Sequence, residues 1–410
     1  MDIAFSPLTL PNGATLPNRI AKAAMEENMA DADQTPSQQL LQLYKGWSQG
    51  GAGLLLSGNV MVDCHAMTGP GGVALEDDKH LAKFEEWAKV GQTAGNHFWL
   101  QINHPGRQIR TELGQPALAP SAVPLDLGNL SKLFAPPQEM TEVQIEDVIN
   151  RFVTTSKLAE RAGFSGVQIH AAHGYLLCQF LSPLSNLRQD QWGGSLENRS
   201  RILFEIVKRV RAAVSPKFCV AVKLNSADFQ KGGFDQEDAS WVVSKLNNMQ
   251  VDLIELSGGS YESPVMQGEP AKGSTLAREA YFLEFAADIV KVTNIPIMLT
   301  GGIRRRQVLE QVMNSGVAVA GIATALALQP DLPNALKRGE DPNPQLAAVK
   351  WWNKTLAALA RMMVIKYQLN RQSQGLKPKL SVWPSWALLL GLWSGNNRAK
   401  LYRKQMEMKE

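Results

Sequence analysis

Short apolar runs alternate along the chain with longer segments in which apolar residues recur at helical spacing. The runs show little alternation of polar and apolar positions, which is typical of parallel strands buried on both faces. The predicted strands are Arg19–Ala24, Gly53–Val60, Phe98–Asn103, Gly166–His170, Phe218–Leu224, Val251–Leu256, Pro296–Thr300 and Val317–Ile322. The predicted helices are Ser37–Gln49, Lys79–Thr93, Thr141–Arg161, Leu196–Val214, Gln236–Asn248, Tyr281–Val292 and Arg304–Asn314. Thr141 and Gln144 have the spacing of a capping box, which marks one helix start.

Eight strands separated by helices favour the α/β class and a single (β/α)8 TIM barrel. An open doubly wound sheet has a glycine-rich turn after its first strand, whereas here that strand runs into Ala23-Ala24-Met25-Glu26. We predict the barrel over residues 1–340 and a C-terminal helical extension over 341–410. The extension is predicted to hold a helix at Leu346–Leu369 and a Trp-rich amphipathic segment at Trp383–Trp393. The long loop 105–140 is polar and contains several prolines, and we expect it to lie over the active-site face.

Composition narrows the class of protein. The 410 residues are 44% hydrophobic and 20% charged, as in a globular protein with a sizeable core. The net charge is only +4, so we predict no nucleic-acid partner. Three cysteines exclude a four-thiolate cluster within the chain, and the first residues do not resemble a signal peptide. Because no apolar run reaches about 18 residues, we expect no membrane span and a cytoplasmic location.

The apolar side chains of the extension bear on the oligomeric state of the protein. Trp383, Trp386 and Trp393 offer apolar surface close to the C-terminus. This surface is a candidate for burial against a second copy of the chain, so a homo-oligomer is expected.

Polar side chains stand at the ends of the predicted strands, where the active site of a TIM barrel forms. Gln101 and His104 follow the third strand, whereas His170, His173 and Tyr175 follow the fourth. The loops after strands seven and eight contain Thr300-Gly301-Gly302 and Gly321, which indicates a phosphate site at this end of the barrel.

The histidines are open to more than one interpretation. His104, His170 and His173 could bind a metal ion, or His170 and His173 could donate hydrogen bonds to a substrate oxygen with Tyr175 as proton source. The nearest downstream carboxylate is Asp190, which favours the donor pair over a metal site. Similarly, Lys223 in the buried fifth strand could pair with an acid such as Glu255 or face an anionic cofactor, and we favour the cofactor.

A set of motifs resembles one known family, the Old Yellow Enzyme family of FMN-dependent oxidoreductases. The resemblance extends from about Phe5 to Pro330. The matching segments are Pro17-Asn18-Arg19-Ile20, Gln101, His104-Pro105-Gly106-Arg107, His170-Ala171-Ala172-His173-Gly174-Tyr175-Leu176, Leu181-Ser182-Pro183-Leu184-Ser185-Asn186 and Gly193-Gly194-Ser195-Leu196-Glu197-Asn198-Arg199. Their order and spacing make a chance match remote.

The resemblance implies FMN as cofactor, with NADH or NADPH as reductant. It implies that the backbone of Ala23, Ala24 and Met25 lies against the flavin ring. It further implies that Asn59 and Gln101 bind the polar edge of the ring, and that Lys223 stands where the family usually has an arginine.

The same resemblance implies a phosphate site in the last two strand-end loops. Its glycines are Gly301, Gly302 and Gly321. Ala323-Thr324 replaces the Gly-Arg that is common in the family, and we expect Arg304 to take the place of the missing guanidinium.

On the substrate side, the resemblance makes His170 and His173 the pair that holds a carbonyl or phenolate oxygen, and Tyr175 the proton donor. Glu26 stands where one branch of the family has a cysteine, and Asn28 replaces a tyrosine that often contacts substrate. An ionised Glu26 near the ring would lower the reduction potential of the flavin. A salt bridge would instead neutralise the charge of Glu26.

The function implied by the resemblance is reduction of flavin by NAD(P)H, followed by hydride transfer to the C=C bond of a small alkene activated by a carbonyl or nitro group. Two alternatives stay open at this point. One is a metal-dependent TIM-barrel hydrolase that uses His104, His170 and His173. The other is a flavin-binding NAD(P)H oxidase without ene-reductase turnover.

Overall fold

Eight parallel strands close into a barrel in the computed structural model, which describes residues 2–263 and 283–408. The last strand pairs with the first, and the first with the second, so the predicted TIM barrel is confirmed. The barrel strands are β1 (Ile20–Lys22), β2 (Leu54–Met61), β3 (His97–Asn103), β4 (Gly166–Ala171), β5 (Cys219–Asn225), β6 (Leu253–Ser257), β7 (Ile297–Thr300) and β8 (Val319–Ile322).

The helices occupy the positions that the hydrophobic period predicts. At the third helix, Gln144 N donates to Thr141 Oγ1 at 3.2 Å and Thr141 N donates to Gln144 Oε1 at 2.9 Å, so the capping box is present. The predicted Tyr281–Val292 helix is described from Leu283, and Tyr281 lies outside the described residues. The helices are α1 (Gln38–Gln49), α2 (Leu81–Gly91), α3 (Glu142–Arg161), α4 (Leu176–Leu181), α5 (Leu196–Ala213), α6 (Gln236–Leu246), α7 (Leu283–Ile289), α8 (Arg306–Asn314), α9 (Thr324–Leu328) and α10 (Leu332–Lys337).

The barrel interior changes from apolar to polar along the strands. Side chains of a strand alternate between its two faces, so residues two apart share the interior face. Trp99, Ala221 and Leu253 belong to an apolar cluster inside the barrel. Two residues further on, the same strands carry Gln101, Lys223 and Glu255. On the interior face, the apolar residues are therefore followed by polar residues nearer the carboxyl ends of the strands.

The segment 105–140 contains secondary structure of its own. Ala117–Ala119 pairs in parallel with Pro137–Glu139, and two 3-10 turns lie at Thr111–Leu113 and Gly128–Leu133. Arg107 ties the segment to the loop after β6, because its Nη2 lies 2.6 Å from Glu262 Oε2.

Two helices form the C-terminal extension, α11 (Lys354–Ser373) and α12 (Pro384–Glu407). The prediction of a helix at Leu346–Leu369 is wrong in its start, because the Asn353 side chain caps the helix by accepting from Leu356 N at 3.0 Å. The Trp-rich segment and the charged end form one helix, with proline in its first turn. Tyr402 and Met406 of α12 pack with Met61 and other residues near the end of β2.

The tryptophan that precedes α12 and the two tryptophans within it are largely exposed. Trp383 is 77% exposed, Trp386 55% and Trp393 69%. Their burial against a second copy of the chain therefore stays a prediction. Within the two described ranges, no helix combines the length and apolar character needed to cross a bilayer.

Candidate functional site

The predicted histidine pair and tyrosine come together at the carboxyl end of β4. The rings of His170 and His173 lie 5.1 Å apart, and those of His170 and Tyr175 lie 4.9 Å apart. Both pairs meet edge to face. The three side chains therefore form one compact group at the mouth of the barrel.

Both imidazoles are neutral hydrogen-bonding groups. Burial, together with neighbouring positive charge that includes Lys223, holds the pKa of His170 and of His173 well below the ordinary value. Ala172 N donates to His170 Nδ1 at 3.3 Å, which assigns the proton of the neutral ring to Nε2. His170 is thus a donor through Nε2.

The turn that carries His173 adopts an unusual backbone conformation. His173 has a φ of +61°, in the left-handed region that few non-glycine residues adopt. Its N–H donates to Asn225 Oδ1 at 3.1 Å, and its Nε2 lies 2.7 Å from Ser257 Oγ. From the segment 105–140, Gln108 Nε2 donates to the carbonyl oxygen of His173 at 3.0 Å. These contacts from β5, β6 and the loop after β3 hold the strained turn in place.

Tyr175 lies in a row of polar side chains. Asn59 Nδ2 donates to its hydroxyl at 3.4 Å, and the hydroxyl of Tyr261 lies 3.2 Å from it. Burial, joined by the charges of Tyr261 and Glu26, raises the pKa of Tyr175 well above the ordinary value. The phenol therefore keeps its proton at neutral pH and is available as an acid.

A continuous polar chain crosses the interior from β3 to β5. Gln101 Nε2 donates to Gln168 Oε1 at 2.7 Å, and Gln168 Nε2 donates to Glu255 Oε2 at 2.7 Å. Lys223 Nζ lies 2.8 Å from Glu255 Oε1, with both side chains buried. Glu255, one of the two partners considered for Lys223, is thus its partner in the structure, because neighbouring strands in register place the acid beside the lysine. Contact of Lys223 with a cofactor stays a prediction.

Glu26 and Asn28 lie together just after β1. Thr68 Oγ1 donates to Glu26 Oε1 at 2.6 Å, and Lys366 Nζ lies 3.1 Å from Glu26 Oε2. Lys366 also donates to Asn28 Oδ1. Burial by itself raises the pKa of Glu26, but the charge of Lys366 and the hydrogen bonds outweigh it and lower that pKa. Glu26 was expected either as an unpaired charge near the ring or in a salt bridge, and the structure shows the salt bridge, with Lys366.

His104 lies at the start of the loop after β3. Its Nδ1 accepts a hydrogen bond from Gly106 N at 3.1 Å. Burial lowers the pKa of His104 to about 4; the charge of Arg151 adds to this shift and that of Asp63 opposes it. Across residues 2–263 and 283–408, the group of three ligand side chains close enough to share a metal ion is Asp63, Cys64 and His65. The geometry does not support a hydrolase centre of His104, His170 and His173.

Comparison with known proteins places the chain in a family. The sequence model of the NADH:flavin oxidoreductase / NADH oxidase family matches residues 4–343. The chain belongs to this family. It is 38% identical over 352 residues to an NADH-dependent flavin oxidoreductase of Neonectria sp. (strain DH2), covering 80% of this chain and 46% of that protein. It is 36% identical over 357 residues to an NADH-dependent flavin oxidoreductase of Hypocrea jecorina (strain QM6a), covering 81% of this chain and 88% of that protein.

Solved structures of the Old Yellow Enzyme type share the fold of this flavin oxidoreductase. The old yellow enzyme homologue from Zymomonas mobilis aligns with a TM-score of 0.71 at 23% identity, over 85% of this chain and 95% of that one. Morphinone reductase in complex with tetrahydroNAD aligns with a TM-score of 0.67 at 24% identity, over 83% and 92%. The family model and the relatives confirm the predicted family, and with it an NAD(P)H-dependent FMN oxidoreductase.

The described residues of the flavin oxidoreductase fit an FMN phosphate at the ends of β7 and β8. Thr300 Oγ1 is buried and has no hydrogen-bond partner among the described residues. Gly302 has a φ of +70°, and a Cβ at Gly321 would collide with Thr300 Oγ1 and lie 2.6 Å from Met298 Cε. Glycine at position 321 therefore leaves room for the Thr300 side chain, whose unsatisfied hydroxyl can donate to a phosphate oxygen.

The remaining predicted cofactor residues surround the same mouth. Ala23 follows β1 and its N–H donates to the Ile322 carbonyl oxygen at 2.9 Å. Arg304 Nε donates to Asn343 Oδ1 at 3.0 Å, and Ala323 immediately precedes α9. Contacts of these residues, and of Ala24, Met25 and Thr324, with FMN stay predictions.

Tyr261 and Lys366 are among the side chains of this site that sequence reasoning missed. Tyr261 follows β6, and the strand-end rule that selected the other residues would also have selected it. Lys366 lies on α11, and no local signal in the sequence distinguishes it from other helix lysines. Only the packing of the extension brings it to Glu26.

Proposed function

We propose that this flavin oxidoreductase transfers hydride from NAD(P)H, through FMN, to the C=C bond of a small alkene conjugated to a carbonyl or nitro group. One observation carries the proposal, namely the compact group of His170, His173 and Tyr175 in the protonation states that this reaction needs. Bound FMN supplies the hydride chemistry. The protein supplies binding, orientation and a proton.

His170 and His173 are assigned to the carbonyl or nitro oxygen of the substrate. As neutral donors they stabilise negative charge as it develops on that oxygen, which makes the distal alkene carbon electrophilic. Tyr175 is assigned the proton transfer to the other alkene carbon. One hydride and one proton together reduce the double bond. We assign Glu26 and Asn28 to the edge of the substrate pocket.

The FMN contacts are proposed for three groups of residues. The backbone of Ala23, Ala24 and Met25 faces the ring, while Asn59, Gln101 and Lys223 bind its polar edge. The phosphate is assigned to the loops that contain the residues Gly301, Gly302, Arg304, Gly321, Ala323 and Thr324.

Two further assignments complete the proposal. We assign the enzyme to the cytoplasm, the compartment that the sequence predicts. The extension, residues 341–410, is assigned to a homo-oligomeric contact.

Anaerobic kinetics test the proposed reaction. The purified protein, loaded with FMN, is mixed with NADH or NADPH in the presence and absence of 2-cyclohexenone. We expect reductant consumption that depends on the enone and yields cyclohexanone. The control is the same assay in air without enone.

An NADH oxidase is the second candidate, because the family description includes that activity and a relative of Thermoanaerobacter brockii, 34% identical over 332 residues, is named NADH oxidase. Equal consumption in air with and without enone, with no cyclohexanone formed, would establish the oxidase and refute the ene-reductase.

A further inference from the structure

The C-terminal extension contributes a charged side chain to the predicted substrate face. Lys366, on α11, contacts both Glu26 and Asn28 after β1. Thr68 donates to the other oxygen of Glu26. Thr68 and Lys366 therefore donate to different oxygens of the carboxylate, and the extension supplies the donor that carries charge.

The charge of Glu26 reaches the group that we assign to proton transfer. Glu26 and Asn59 line the same small cavity, and Asn59 donates to the Tyr175 hydroxyl at 3.4 Å. The carboxylate also contributes to the raised pKa of Tyr175, after burial and Tyr261, and to that of Tyr261, after burial. The side chains of Lys366 and Glu26 are 26% and 30% exposed, so bulk water screens their charges only in part. An unpaired Glu26 would place one negative charge near the hydroxyls of Tyr175 and Tyr261.

Lys366 is not needed to dock α11 onto the barrel. Ala360 and Leu369 of α11 are buried, and Gln372 Nε2 donates to the Ala327 carbonyl oxygen at 2.6 Å. Apolar packing and this hydrogen bond fix the helix independently. The contact with Glu26 and Asn28 is therefore separable from the folding of the extension.

We propose that Lys366 is a positioning residue that neutralises Glu26 and fixes Asn28, so that the site accepts ligands whose oxygen carries or develops negative charge. The inference rests on the function proposed above and deepens it. The ligand class is phenolates and the enolate-like state of an enone during reduction. Lys366 adds little to the binding affinity of neutral ligands without such an oxygen.

Ligand titration of the FMN-loaded protein tests the proposal. The probes are 4-cyanophenol at about pH 9, where it is a phenolate, and neutral 2-cyclohexenone, each followed by the flavin spectrum. In Lys366→Met we expect the Kd of the phenolate to rise about tenfold. The Kd of the enone should change by less than about twofold. Lys366→Arg keeps the charge and should bind both as the wild type does.

Two further variants separate charge from packing. Glu26→Gln combined with Lys366→Met removes both charges and should restore phenolate binding. Lys377→Met changes an exposed lysine of the same extension and should leave both ligands unaffected. The flavin midpoint potential should fall in Lys366→Met, because an unpaired carboxylate disfavours added electrons, and it should recover in the double variant.

The outcomes are distinct. Equal weakening of both ligands in Lys366→Met, or failure of the double variant to recover, would show a merely structural role and overturn the proposal. Unchanged binding and potential in Lys366→Met would also overturn it. If neither probe changes the flavin spectrum of the wild-type protein, the proposed function fails instead.

Discussion

At the scale of single residues, burial sets the protonation states on which the proposed chemistry depends. Charged forms lose solvation in the interior, so His170 and His173 stay neutral and Tyr175 stays protonated. The hydrogen bond from Ala172 N further selects the tautomer of His170. Neutral imidazoles and a protonated phenol can therefore coexist in one compact group at neutral pH.

Removal of the Tyr175 hydroxyl should affect one half of the catalytic cycle. In Tyr175→Phe we expect flavin oxidation by 2-cyclohexenone to slow by about 10²-fold or more, the usual contribution of a positioned proton donor. Flavin reduction by NADH needs no proton from this residue and should keep its rate. Anaerobic stopped-flow measurement of the two half-reactions checks this.

Tyr261→Phe serves as the matched control, since it removes the neighbouring hydroxyl but leaves Tyr175 in place. Its effect on flavin oxidation should be smaller. Equal slowing of both half-reactions in Tyr175→Phe would contradict the role of Tyr175 as proton donor.

At the scale of elements, a buried ionic network joins β1 to α1 next to the site. Lys22 Nζ donates to the Leu56 carbonyl oxygen at 2.7 Å and to the Tyr44 hydroxyl at 3.0 Å, and it lies 3.5 Å from Glu27 Oε1. Tyr44 also donates to Glu27. Burial lowers the pKa of Lys22 to about 8, although Glu27 opposes the shift. The network fixes the chain just before the proposed substrate face.

Breaking this network should destabilise the protein. Lys22→Met leaves the Glu27 carboxylate buried without its cation, for which we expect a loss of about 3–5 kcal/mol in the free energy of unfolding. Lys45→Met, at an exposed position of α1, should cost little. Urea unfolding of both variants measures the difference.

The double variant Lys22→Met with Glu27→Gln removes both charges. It should recover part of the stability, because no unpaired charge remains in the interior. Additive losses from the two substitutions would contradict an ionic network.

At the scale of the whole molecule, buried neutral histidines make the fold sensitive to acid. His104 has a pKa of about 4 in the folded chain, against an ordinary value of 6.5. Its stabilising effect is fully present above pH 6.5 and is lost as the pH falls through about 4, because the unfolded state binds the proton more readily. His170 and His173 act in the same direction.

The acid sensitivity can be assigned to a residue. The wild type should lose stability between about pH 7 and 5, with His104 contributing about 2 kcal/mol at pH 5. His104→Gln should show a correspondingly smaller loss in urea unfolding at the two pH values. His80→Gln, at an exposed histidine, should retain the full loss. An identical loss in His104→Gln and the wild type would contradict this account.

The sequence by itself determined the barrel, the strand-end residues and the family. These follow from local patterns, since apolar runs and helical spacing specify elements, and parallel strands bring their carboxyl ends to one edge. The partners of Lys223 and Glu26 were decided only by tertiary structure. Strand register selected Glu255 for Lys223, and the packing of α11 brought Lys366 to Glu26 across 340 positions of the chain. Such pairings depend on how distant elements pack, for which a single sequence carries no local signal.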